Sequence, residues 1–155
     1  MTYRSTLTAT VPFAALLLLF ATTVVADTLT GKVVKITDGD TLYVLDANYK
    51  EHKIRLAGID APERKQAYGL ASRKHLASIV AGQQVTVEYQ KRDRYGRIVG
   101  KVLLVVVFHT SRDEIDVCLE QVKAAFAWHY KKYQHEQSPE DRQLYADAEN
   151  KARDD

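Results

Sequence analysis

The stretch KIRLAGIDAPE, residues 53–63, is where the sequence pattern of the chain changes. In its first four residues, the apolar Ile54 and Leu56 alternate with basic residues. Such alternation predicts a strand with one buried face. After Pro62 the apolar residues recur with a helical period. The stretch therefore marks the junction between a predicted sheet and the first predicted helix.

The same reasoning, extended in both directions, predicts five strands. Three strands with polar turns occupy residues 29–56, and two more cover residues 85–89 and 98–108. One helix, which ends near Gly82, is interposed between the third and fourth strands. This order favours a mainly β protein with α-helices (α+β), built as a small Greek-key barrel such as the oligonucleotide-binding (OB) fold.

Two further helices are predicted after the strands. Leu119, Val122 and Phe126 suggest the second. Ser138 and Pro139, followed by two acids, have the pattern of an N-cap, a first helical position and an acidic first turn. The third helix is therefore expected to begin there.

Residues 1–26 are predicted to be an export signal. Arg4 precedes an apolar run, and small residues at positions 24–26 offer a cleavage site. The apolar run is shorter than the roughly 20 residues that a membrane-spanning helix needs. We expect cleavage and a secreted or periplasmic protein, with an uncleaved anchor as the alternative. Residues 27–155 then form one domain.

Composition narrows the classes of site and partner. Cys118 is the only cysteine, which excludes an intramolecular disulfide and a zinc site built on thiolates. Basic residues outnumber acids in residues 27–135, whereas acids predominate in residues 136–155. The basic part suits a polyanionic ligand, although a mild excess is often only a solvated surface.

Three carboxylates are candidates for a cation site. Asp38 and Asp40 flank the glycine of a predicted turn, and Asp60 follows the end of a strand. Calcium prefers several oxygen ligands of this kind, but the EF-hand spacing is absent. Glu63 can orient an attacking water or simply favour a helix N-terminus. Each residue taken alone is also an ordinary turn former.

Two arginines and a cluster of aromatic and basic residues are candidates for nucleic-acid contacts. Arg55 and Arg97 can grip one phosphate as planar forks, although each alone is an ordinary surface residue. A mixture of aromatic and basic side chains follows the second predicted helix and can stack a base and hold a phosphate: Trp128, Tyr130, Lys131, Lys132 and Tyr133. Packing under the second helix is the more ordinary role for Trp128. The histidines have no metal-ligand spacing.

Together these motifs resemble the staphylococcal nuclease (thermonuclease) family over about residues 29–152. The matching strings are Asp38-Gly39-Asp40-Thr41, Arg55 to Glu63, Asp93-Arg94-Tyr95-Gly96-Arg97 and Val122-Lys123 with Ala127-Trp128. The resemblance implies an OB-fold barrel of five strands with three helices. It also implies calcium-dependent hydrolysis of DNA and RNA that leaves 3′-phosphates. No stable protein partner is evident from the sequence, and we expect a monomer.

The resemblance also implies a role for each matching residue. Asp40, Asp60 and the Ala61 carbonyl would bind Ca²⁺, with support from Asp38 behind the site. The catalytic residues would be Glu63, acting on water, with Arg55 and Arg97 on the phosphate. The nucleic-acid-binding residues would be Arg94, Tyr95, Tyr130, Lys131 and Tyr133. Lys131 stands where the family has a tyrosine.

Residues 104–115 depart from the family's hairpin in length and lack its glycine. The leading hypothesis is an exported, sequence-nonspecific nuclease. A binding module is the main alternative, because OB-type barrels often bind single strands without chemistry. An interaction domain that uses the acidic last helix is a third.

Overall fold

The computed structural model describes residues 26–108 and 111–154, except for the side chain of Phe108. The predicted export signal therefore lies outside the described residues, apart from its last position. Within the described part of the chain, no helix is long and apolar enough to cross a membrane. The strands are β1 (Asp27–Asp38), β2 (Thr41–Leu45), β3 (Glu51–Leu56), β4 (Ile59–Asp60), β5 (Gln84–Arg92), β6 (Ile98–Phe108), β7 (Ser111–Asp116) and β8 (Trp128–His129).

Within residues 26–108 and 111–154, the structure also has three α-helices and one 3₁₀ helix. They are α1 (Gly69–Val80), α2 (Val117–Lys123), the 3₁₀ helix (Lys131–Glu136) and α3 (Pro139–Asp154). The third helix begins as predicted, because the Asp141 backbone N–H donates to Ser138 Oγ at 3.0 Å. This bond satisfies one of the free N–H groups of the first turn.

Five strands form a closed ring. Their order is β3-β2-β1-β5-β6, and β3 also pairs in parallel with β6 through Ile54↔Ile98 and Leu56↔Gly100. The interior is apolar, with Leu42, Val44 and Ile54 fully buried. The predicted α+β class, with a ring of five strands and three main helices as in an OB fold, is confirmed.

The sheet contains one strand, β7, that the sequence pattern does not predict. Ser111–Asp116 reads SRDEID and has no apolar alternation, yet it pairs antiparallel with β6 from Leu103↔Asp116 to Phe108↔Ser111. β6 has 11 residues, and its second half would otherwise leave backbone donors and acceptors unpaired at an edge. The two residues between β6 and β7 lie outside the described residues.

Helix α2 is shorter than predicted. It ends at Lys123, and Phe126, predicted to belong to the helix, lies after it. The Phe126 N–H donates to the Gln121 carbonyl at 2.9 Å, and the Ala125 N–H donates to the Val122 carbonyl at 3.0 Å. These two bonds form a Schellman motif, in which Ala125 takes the left-handed conformation with φ of 59°.

We expect Ala125→Gly to raise the free energy of unfolding by about 0.5–1 kcal/mol, since glycine adopts positive φ without a Cβ penalty. Urea denaturation of the two proteins measures the difference. Because Ala125 is exposed and its backbone N–H bonds to the Val122 carbonyl, nuclease activity should not change. A destabilised glycine variant would contradict the assigned strain.

A polar cluster anchors α3 to the barrel. Lys101 on β6 lies 2.9 Å from Asp141 Oδ1 and 3.3 Å from Asp116 Oδ2, and Tyr145 Oη donates to Asp116 Oδ2 at 2.8 Å. Burial raises the pKa of Tyr145, so its hydroxyl stays protonated and donates this bond. The cluster ties α3 to β6 and to Asp116, the residue just before α2.

Candidate active site

The turn between β1 and β2 is held by a buried polar network. Gln121, fully buried on α2, donates from Nε2 to the Gly39 carbonyl at 2.6 Å. A Cβ at position 39 would lie 1.7 Å from Ser72 Oγ, so only glycine fits. Ser72 and Gln121 are missed by the sequence analysis, and their only signal is a polar residue inside an otherwise apolar helix face. This network fixes where Asp40 leaves the turn.

Asp40 connects this turn to the loop that carries Asp60. Its carboxylate is buried, and Oδ1 accepts from Thr41 Oγ1 at 2.9 Å while Oδ2 accepts from the Ala61 N–H at 3.0 Å. Burial raises the pKa of Asp40 above its ordinary value, although the nearby Arg55 and these hydrogen bonds oppose the rise. The structure therefore brings the predicted cation ligands of the two loops together.

Arg55 lies at the centre of the site. Its Nη2 is 2.9 Å from Asp60 Oδ1 and 3.2 Å from Asp40 Oδ2. Its Nη1 donates to the carbonyls of Leu56 at 3.0 Å and Ile59 at 2.9 Å. One guanidinium thus joins both carboxylates and is held by four oxygen atoms, which fixes its plane.

Glu63 lies on a short turn just before α1. Its backbone N–H donates to Gln66 Oε1 at 2.7 Å, and its carbonyl accepts from the Gln66 N–H at 2.8 Å. The Glu63 carboxylate is exposed and, within the described residues, makes no hydrogen bond or ion pair. The backbone of this residue is therefore fixed while its carboxylate remains available to substrate or water.

We expect Gly69→Ala to lower kcat by about 10-fold or more through displacement of Glu63. A Cβ at position 69 would lie 2.0 Å from the Glu63 carbonyl oxygen, so the turn must move. Small misplacements of a catalytic group can cost up to about 100-fold. Steady-state kinetics with a parallel melting curve separates this effect from unfolding. Gly82→Ala is the control: a Cβ there meets nothing within 4 Å, but the positive φ of 74° is strained for alanine, so this variant should lose stability without displacing Glu63.

Arg97 is oriented by Asp93, a residue that the sequence analysis did not assign to the site. Arg97 Nε lies 2.6 Å from Asp93 Oδ2, while Asp93 Oδ1 accepts from the Tyr95 and Arg97 N–H groups. Burial tends to raise the pKa of Asp93, but these hydrogen bonds outweigh it and hold the pKa below its ordinary value. The signal in the sequence is an acid that opens a turn four residues before an arginine.

Arg55 and Arg97 both line one groove of about 560 Å³. Half of the other lining residues are aromatic or basic, and the rest are apolar or glycine except for the acids Asp93 and Glu136; the aromatic and basic ones are Lys91, Arg92, Arg94, Tyr95, Tyr130, Lys132 and Tyr133. The rings of Tyr130 and Tyr133 meet edge to face with centroids 5.1 Å apart. Cationic groups beside stackable rings suit a phosphate with an attached base.

Two predicted site residues lie apart from this arrangement. Lys131 points away from the groove and forms an ion pair with Glu149 of α3, so Lys132 lines the groove instead. Asp38 lines a separate cleft between β1 and α1, beside Arg64 and Arg73. Within the described residues, the Asp38 carboxylate makes no hydrogen bond or ion pair.

The donor set around Arg55 fits a hard divalent cation. Two carboxylates facing one guanidinium leave one negative charge unbalanced, and oxygen donors are the ligands that Ca²⁺ prefers. In the described part of the chain, no three His, Cys, Asp or Glu side chains are grouped as a metal site. A cation here would therefore take Asp40, Asp60, a backbone carbonyl such as that of Ala61, and water.

Comparisons with known proteins agree with this geometry. A family model described as "Staphylococcal nuclease homologue" matches residues 53–155. A protein from Escherichia coli named "Uncharacterized endonuclease" is 40% identical over 142 residues, which is 86% of this chain and 88% of that protein. "Micrococcal nuclease" of Shigella flexneri is 38% identical over 116 residues, 74% of this chain and 64% of that protein. The resemblance inferred from the motifs is confirmed, and the chain belongs to the staphylococcal nuclease homologue family, whose domain is a hydrolytic nuclease.

Proposed function

We propose that this protein is an exported, calcium-dependent, sequence-nonspecific endonuclease that hydrolyses DNA and RNA and leaves 3′-phosphates. The observation that supports it most is the position of Arg55. Its guanidinium contacts both Asp40 and Asp60 and also lines the groove that contains Arg97. A pair of carboxylates that could hold a cation thus contacts an arginine that lines the same groove as Arg97, which supports the proposal.

The side chains have distinct roles in this proposal. Arg55 and Arg97 bind the scissile phosphate and stabilise the charge that develops on it in the transition state. Glu63, exposed and free of partners within the described residues, orients the attacking water or accepts its proton. A bound Ca²⁺ would supply positive charge to the phosphate oxygens and lower the pKa of a coordinated water.

A binding module without chemistry is the second candidate. The basic and aromatic groove alone would serve such a module. The buried Asp40 and the half-exposed Asp60 favour the enzyme instead, because carboxylates beside a phosphate site repel a polyanion unless a cation is bound.

Export is supported by the sequence pattern of residues 1–26 alone. Expressing the full chain with an epitope tag at its C-terminus and fractionating the cells tests it. Processed protein outside the cytoplasm supports export. Full-length protein that remains in the cytoplasm contradicts it.

The proposed reaction is tested by incubating the purified protein with end-labelled single-stranded DNA and RNA, with calcium or with excess chelator. We expect fragments only with calcium, and a shift in fragment mobility after treatment with a 3′-phosphatase. Cleavage that persists in chelator would contradict the cation requirement. Fragments that the phosphatase does not change would contradict the proposed product.

We expect Asp60→Asn to raise the calcium concentration for half-maximal activity by at least about 10-fold, since one charged ligand is lost. The Asp60 side chain is half exposed, so folding should be preserved. Asp113→Asn, which neutralises an exposed acid on β7, is the matched control. Unchanged calcium dependence in Asp60→Asn would remove this residue from the cation site.

A further inference from the structure

The short ribbon formed by β4 and β8 has one buried and one exposed face. Ile59 pairs with His129, and Asp60 pairs with Trp128. Ile59 and His129 are buried, with 0% and 3% of their surface exposed. On the other face the Asp60 side chain is half exposed, and Trp128 is 55% exposed. The prediction that Trp128 packs under the second helix is therefore wrong.

Trp128 lies beside the proposed cation site. Residues directly opposite each other in an antiparallel pair have Cβ atoms about 4.5–5.5 Å apart and point to the same face. The indole thus stands next to the Asp60 carboxylate, which Arg55 contacts at 2.9 Å. Trp128 does not line the groove, whereas Arg55 does. Asp60 therefore pairs with Trp128 in the ribbon and contacts Arg55, which lines the aromatic groove.

An exposed indole at this place is not explained by packing. Its own strand position faces solvent, while the core beneath the ribbon is already filled by Ile59, His129 and the Tyr145 ring, which meets the His129 ring at 5.9 Å. Aromatic faces stack on any nucleobase, which suits a nuclease without sequence preference. Suppose that a nucleic-acid strand binds with its scissile phosphate at Arg55. One nucleotide would then lie in the groove, and the nucleotide on the other side of the phosphate would lie beyond Asp60.

We propose that Trp128 is the stacking platform for the base of the nucleotide on the side of the scissile phosphate away from the Tyr130–Tyr133 groove. This inference rests on the proposed nuclease function and adds a second base subsite to it. The platform would favour single-stranded or unpaired substrates, because a base stacked in a duplex does not offer its face to the indole.

The binding test uses the only tryptophan of the chain as its own probe. The Glu63→Gln protein is titrated with oligothymidylate and with an abasic deoxyribose-phosphate strand of equal length, while fluorescence anisotropy of labelled strands reports binding. We expect oligothymidylate to quench Trp128 and the abasic strand to bind more weakly without quenching. Bound oligothymidylate that leaves the fluorescence unchanged would overturn the inference.

The kinetic test compares variants on dinucleotide substrates that contain one phosphodiester bond. We expect Trp128→Ala to lower kcat/KM about 10-fold, and Trp128→Phe to retain most of it. The control is Tyr49→Ala, which removes an even more exposed ring, 86% against 55% for Trp128, from the β2–β3 turn at the end of β3 remote from Arg55. The control should match the unchanged protein.

Removing one base of the dinucleotide identifies the subsite. Removing the base that stacks on Trp128 should slow the unchanged protein about 10-fold but slow Trp128→Ala no further, because the two losses are coupled. If removing either base slows Trp128→Ala as much as it slows the unchanged protein, the losses are additive. That result would contradict the stacking role of Trp128 but not the proposed nuclease function. An unchanged protein that cleaves no substrate would instead contradict the proposed function.

Discussion

Replacing Glu63 with glutamine is expected to lower kcat on single-stranded DNA by about 10³-fold, within the range that general acid–base groups contribute. The amide keeps the size of the side chain and the backbone turn with Gln66, but it cannot accept a proton. Because the Glu63 carboxylate has no protein partner within the described residues, its loss should not disturb folding. KM and calcium dependence should change little.

The control for this variant is Glu51→Gln, which alters an exposed acid on β3 at the end remote from Arg55. Single-turnover cleavage and anisotropy of a labelled strand are measured on all three proteins. A Glu63→Gln protein that binds normally and cleaves within about 10-fold of the unchanged protein would remove Glu63 from proton transfer.

Replacing either Arg55 or Arg97 with lysine is expected to lower kcat by about 100-fold or more. Lysine keeps the charge but loses the planar fork that binds two phosphate oxygens at once. Equal losses in both variants would support convergence of the two guanidinium groups on one phosphate. The matched control is Arg112→Lys, a change to an exposed residue of β7.

The two arginine variants should differ in stability. Arg55 donates to two backbone carbonyls and contacts two carboxylates, so its replacement should lower the free energy of unfolding by about 1–3 kcal/mol. Arg97 contacts Asp93 in a partly buried pair within one turn, and its replacement by lysine, which keeps the charge beside Asp93, should cost less than about 1 kcal/mol. Urea denaturation measures the free energy of unfolding of both variants. An equal decrease in the two would contradict the conclusion that the contacts of Arg55 stabilise the fold.

Local signals predict those parts of the fold that local interactions decide. The Ser138-Pro139 pair predicts the start of α3 because one hydroxyl can cap the helix. The alternation around Ile54 predicts β3 because one face of that strand is buried. β7 has no such signal, since the polar segment SRDEID becomes a strand only through the backbone of β6.

The candidate site, like the fold, has features that the sequence predicts and features that it does not. The sequence predicts which carboxylates and arginines take part, because few residue types can do this chemistry. It does not predict that one Arg55 nitrogen contacts both Asp40 and Asp60. That contact depends on how the β1–β2 turn, β3 and β4 come together in the fold. Nor does it predict that Lys131 pairs with Glu149, or that Trp128 faces solvent beside Asp60, since both depend on long-range packing.

The central claim is that Glu63 and a calcium ion act together at the Asp40–Asp60 site to cleave a phosphodiester bond. The most direct measurement is the single-turnover cleavage rate of labelled single-stranded DNA by the unchanged and Glu63→Gln proteins, each with calcium and with chelator. We predict fast cleavage only by the unchanged protein with calcium, and equal binding by both proteins. Tight binding without cleavage by the folded, calcium-supplied, unchanged protein would contradict the claim and favour a binding module.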